Sequence, residues 1–128
     1  LSILGPVDRL EALSRFVLQK TYIRADNTIR PAAFLPNPKN GETSVFRISG
    51  ITDNEIWAIG DSKVAPKQNR PILGRADINA SIVLSNYLEI IPSEPPERHA
   101  DITGWPEEKS EQKQIALELA AESEFHKR

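Results

Sequence analysis

The chain has 128 residues, 39% hydrophobic and 27% charged, with a formal charge of −2; it is long enough for a single core that needs no disulfide or metal staple. The absence of cysteine excludes disulfide scaffolds, thiolate metal sites and cysteine nucleophiles, and two histidines, one beside the C-terminus, argue against an all-protein zinc centre. Slight negative charge argues against holding nucleic acid by bulk electrostatics, no apolar run approaches the roughly 20 residues that span a bilayer, and the lack of a basic leader completes the expectation of a reducing, cytoplasmic setting.

In "GPVDRLEALSRFVL" Pro6 sits where a first helical turn tolerates it, and Leu10, Leu13 and Val17 recur at helical spacing, which predicts a short amphipathic helix. Two β-leaning triplets, Tyr22-Ile23-Arg24 and Thr28-Ile29-Arg30, flank the turn formers Asp26-Asn27 and predict a hairpin that Pro31 ends. "FLPNPKNGE" is a turn-rich connection. "TSVFRIS", residues 43–49, is the clearest strand, with Val45, Arg47 and Ser49 on one face and Ser44, Phe46 and Ile48 on the other. After Gly50, Thr52 and Glu55 have the spacing of a capping box, with Ile51 and Ile56 as a hydrophobic staple and Gly60 as the helix stop.

Residues 61–75 carry Lys63, Lys67, Arg70 and Arg75 against Asp61 alone, the one extended basic segment. "RADINASIVLSN" fits either a helix or a strand; the Ile78/Ile82 spacing and a stop at Asn86 favour helix over 76–86. "YLEII" is β-leaning, "PSEPPER" is a proline-forced loop, and "HADIT" returns as a strand beside "YLEII". From Pro106 onward, Glu107, Glu108 and Glu111 favour the positive end of a helix whose apolar stripe is Ile115, Ala116, Leu119 and Ala120. The expected fold is α+β: a small, mainly antiparallel sheet packed by two to four helices, in one domain over 1–128 with frayed ends at 1–12 and 124–128.

His99 is the first functional candidate, because on a strand it shares a face with Asp101, and a histidine beside a carboxylate can act as a general base. The competing role is a corner piece that donates to a carbonyl of the proline-rich loop. Arg24, Arg47, Arg75 and Arg98 form an arginine set; Arg47, placed in a strand, suits phosphate or carboxylate through its planar fork. Arg47, Arg75, Arg98 and His99 are therefore the ligand-binding candidates, and His99 with Arg47 the catalytic pair. Trp57 and Trp105 are candidate partner contacts, with core filling as their alternative. No glycine-rich phosphate loop, serine elbow, paired-histidine metal motif or calcium loop is present, and no cofactor is expected.

The segments "SVFRISGITDNEIWAIG", "GRADI" and "HADITGWPEEKSEQKQIALELA" resemble a group of small uncharacterised bacterial proteins of similar length. The resemblance spans about residues 15 to 123 and implies a bacterial origin and one compact domain, but no activity. Three readings follow: a non-catalytic binding or accessory module for a protein partner or a small anionic ligand; an enzyme acting on a nucleotide or RNA end through His99 and Arg47; and nucleic-acid binding through the 63–75 segment, which the net charge disfavours.

Overall fold

The computed structural model describes residues 4–128. Six strands form one antiparallel sheet, β1 (Ala12–Val17), β2 (Thr43–Arg47), β3 (Gly74–Asn79), β4 (Glu89–Pro92), β5 (His99–Thr103) and β6 (Glu124–Lys127), in the spatial order β4-β5-β2-β1-β3-β6. The helices are α1 (Asp53–Ile59), α2 (Ala65–Gln68), α3 (Ala80–Ser85) and α4 (Lys109–Glu122). The fold is α+β, as expected.

Period-two alternation divides the sheet into two buried faces. One carries Leu13, Val17, Val45, Ala76, Ile78, Ala100 and Ile102, and is closed by α3, α4 and the tight helical turn Pro31–Phe34. Ala116 and Leu119 of α4 are buried there, with Ile115 and Ala120 partly buried beside them, so the expected stripe covers the expected sort of surface. The other face carries Phe16, Leu18, Phe46 and Ile48 beneath Ile56 of α1.

Both residue sets of the central strand β1 are buried, which explains why its sequence reads as a helix: alternation shows only where one face is wet. Leu10, the first member of the supposed helical stripe, is 75% exposed. The 76–86 helix is likewise half strand. β3 runs to Asn79, whose side chain then accepts from the Ser81 amide and starts α3. The 22–30 hairpin shrinks to one bridge, Ile23 to Ile29, outside the sheet, with Asn27 left-handed in its turn at φ 63°. β2 and the β4–β5 pair fall where the sequence places them.

The Thr52–Glu55 capping box forms in both directions. Gly60, however, does not stop the helix. Its backbone is right-handed, and the chain continues through a wide turn at Gly60–Val64 into α2, ending at the left-handed Asn69. Glycine is required here by proximity, because a Cβ at residue 60 would lie 2.8 Å from Cε1 of Phe16. α4 begins at Lys109, later than Pro106, whose carbonyl instead accepts from the Gln112 side chain at 2.7 Å. The supposed frayed tail is the edge strand β6; the expected fraying of residues 1–3 lies outside the described residues, and the rest of 1–12 is tied down at Arg47.

Candidate functional site

Arg47 is 2% exposed, as is Arg75 among the predicted ligand residues, and its fork is occupied from within. Nε and one Nη donate to the two carboxylate oxygens of Glu11 at 2.8 and 2.7 Å, while the Gly5 and Pro6 carbonyls accept at 2.7 and 3.1 Å. The hydrogen bond from Arg47 holds the Glu11 carboxyl below the ordinary glutamate range, against the opposing effect of burial. Arg98, left-handed at φ 72°, donates to the Arg47 carbonyl at 3.2 Å. Both are corner supports that fasten the N-terminal segment and the proline-rich loop to the end of β2. Alternation also sends Arg47 and His99 to opposite faces of the sheet, so the expected catalytic pair does not share a cleft.

His99 is held at the start of β5 on the α1 face. Its Nδ1 lies 2.9 Å from the Ser93 carbonyl, and its Nε2 lies 2.6 Å from Ser44 Oγ. A carbonyl only accepts, so Nδ1 carries a proton, and with the ring neutral the Ser44 hydroxyl donates to Nε2. Phe46 packs edge-on against the ring, with centroids 5.3 Å apart. Asp101, opposite Ser44 across the β2–β5 ladder, places a carboxylate oxygen 3.7 Å from Nε2. The Ser93 contact is the corner role expected for His99; the Ser44 contact is additional.

Arg75 is buried on this same face, in β3. It donates to Asp53 at 2.8 Å and to Asp77 at 3.2 Å, and its guanidinium lies 4.6 Å from the centre of the Trp57 ring. Arg128 stacks on Trp57 at 4.8 Å and grips Asp61 through both carboxylate oxygens. Trp57 is thus a platform for two arginines, and Trp105 packs against the larger core; both rings are partly buried and neither stands out as a partner contact. The basic 63–75 segment does not form one charged surface, because Arg75 turns inward to two carboxylates while Lys63 and Lys67 ride on the helical extension.

A different basic site is formed by residues far apart in sequence. Lys20, Arg24, Lys127 and Arg128 line a cavity of about 470 Å³ whose apolar lining comes from Ile23, Ala25, Ile72 and Leu73; no carboxylate lines it. The β3–β6 ladder brings Lys127 opposite Gly74, and the Arg128 amide donates to the Leu73 carbonyl at 2.9 Å, which fixes the C-terminal side of the wall. The 20–30 turn supplies the other side, where Arg24 is steadied by the Ile29 carbonyl at 3.0 Å. Lys20 and Lys127 form no ion pair among the described residues. Of the predicted arginines only Arg24 reaches this cavity. The lysines and Arg128 carried no signal in the sequence, because their proximity depends on β6, a strand the sequence did not reveal.

No described helix is long and apolar enough to cross a membrane, and no acid–histidine cluster among the described residues is arranged to hold a metal. No family model, curated protein or solved structure matches the chain.

Proposed function

We propose that the protein is a small binding module that takes an organic anion of modest size, without turning it over, in the cavity between the 20–27 turn and β6. The observation that carries this reading is four cations and no carboxylate lining one cavity, in a chain whose net charge is −2. A volume of about 470 Å³ lies within the usual range of roughly 300–1,000 Å³ for small-molecule sites. Its chemistry suits a ligand with an acidic head for Lys20, Arg24 and Lys127 and a less polar body for Ile23, Ile72 and Leu73; a nucleoside monophosphate or an aromatic carboxylate has that form. No histidine, carboxylate, serine, threonine or tyrosine side chain lines the cavity, which favours binding over turnover there. A bacterial cytosolic setting belongs to the same proposal, supported by the absence of cysteine and by the resemblance to small bacterial proteins.

The test is titration of the ¹⁵N-labelled protein with adenosine monophosphate and with benzoate, following backbone amides by NMR. Shifts concentrated at residues 20–27, 72–73 and 127–128, weakened by salt and lost in the Lys20→Ala/Lys127→Ala double variant, are expected. Saturable binding elsewhere, or none at millimolar ligand, would remove this cavity as the site.

A further inference from the structure

The Ser44–His99 pair does more than a corner requires. A ring needed only to close the proline-rich loop is satisfied by Nδ1 donating to the Ser93 carbonyl. Here the opposite nitrogen is also engaged, at 2.6 Å, by a serine hydroxyl that has no other hydrogen-bond partner among the described residues. In the neutral ring Nδ1 holds its proton against the carbonyl and Nε2 presents a lone pair to the hydroxyl. A nucleophile, a base within hydrogen-bond reach and a third group fixing the base form the arrangement used to activate serine.

Position and access support the same role. Ser44 lies in β2, where it pairs with Asp101 of β5, and His99 opens β5, so both groups rest on the sheet rather than on loops. Phe46 restrains the ring edge-on. The Asp101 carboxylate, 3.7 Å from Nε2, stands where it would stabilise the positive ring formed as the proton moves. His99 and Asp101 side chains each keep 16% exposure, and Ser44 is half-buried, so each of the three residues keeps some contact with solvent.

We infer that Ser44 is a nucleophilic serine, with His99 as its general base, that accepts an acyl group from small esters. Ser44 Oγ bonds to the ester carbonyl carbon while its proton passes to His99 Nε2. The carbon–oxygen bond to the alcohol then breaks, the alcohol leaves with the proton from Nε2, and acyl-Ser44 remains. A water molecule, deprotonated by Nε2, releases the carboxylic acid and restores the hydroxyl. General-base assistance of this sort supplies about 10²- to 10⁴-fold, so a slow acyl-transfer centre is expected. The site is separate from the basic cavity and does not depend on what that cavity binds.

The experiment treats the full chain with a fluorophosphonate and, separately, with p-nitrophenyl acetate, and locates adducts by intact mass and peptide mapping. One adduct at Ser44 is expected, absent in Ser44→Ala and at least 100-fold slower to form in His99→Gln. Ser44→Ala leaves the His99–Ser93 bond in place, and circular dichroism checks that each variant is folded. Asp101→Asn should slow labelling without changing the spectrum. No adduct on the folded wild type, adducts on lysines alone, or equal labelling of the folded His99→Gln variant would each overturn the assignment.

Discussion

Two arginines in this molecule each hold both oxygens of a carboxylate, Arg47 through Nε and one Nη and Arg128 through both Nη nitrogens, and stand in opposite circumstances. Arg47 meets Glu11 at 2.8 and 2.7 Å, and Arg128 meets Asp61 at 2.8 and 2.7 Å. Arg47 is 2% exposed and also feeds two backbone carbonyls, whereas Arg128 is 39% exposed and lines the basic cavity. Bond length is therefore not what separates them. Desolvation is: a carboxylate removed from around Arg47 leaves a charge that water cannot reach, while Arg128 can exchange Asp61 for solvent or another anion at small cost. The first pair fastens the chain and the second remains exchangeable.

Arg47→Ala tests the fastening side and should have the largest effect, about 3–5 kcal/mol of unfolding free energy, because it leaves Glu11 without its partner. Chemical denaturation measures it, and a loss under 1 kcal/mol would mean the buried fork contributes no more than a surface one. Acid gives a graded version of the same test. With the Glu11 carboxyl held below its ordinary value of 4.5, its stabilisation is complete above that value and disappears as pH falls through the lowered one. The stability difference between wild type and Glu11→Gln should thus be full at pH 7 and shrink below pH 4.5. Asp61→Asn should have the smallest effect, under about 1 kcal/mol, as exposed pairs do. It should nevertheless change Trp57 fluorescence, since it frees the guanidinium stacked on that ring. A large destabilisation there would erase the distinction between the two arginines.

Much of the fold could be read from local pattern: β2, the capping box, the β4–β5 pair and the stripe of α4 each announce themselves within a few residues. The strands that failed to do so failed for a common reason. β1 is buried on both faces and β3 nearly so, which removes the polar alternation that marks a strand, and β6 is a four-residue edge with charged ends. The site suffered accordingly. His99 was identifiable by type and Asp101 by spacing, but Ser44 became its partner only through the β2–β5 register. Lys20 and Lys127 share a cavity only because β6 joins β3, and Arg47 looked available because its distant partner Glu11 could not be foreseen.

The strand order also has a temporal consequence. β1 lies at the middle of the sheet, yet its longest ladder is with β3, where Ala12 pairs with Asn79. At a ribosomal rate of about 5–20 residues per second, β1 emerges several seconds before that ladder can close. During that interval Leu13, Phe16 and Val17, all buried in the finished protein, are displayed on a strand with unclaimed backbone donors. The nascent chain therefore passes through a period in which chaperone capture or edge-to-edge association competes with completion of its own sheet.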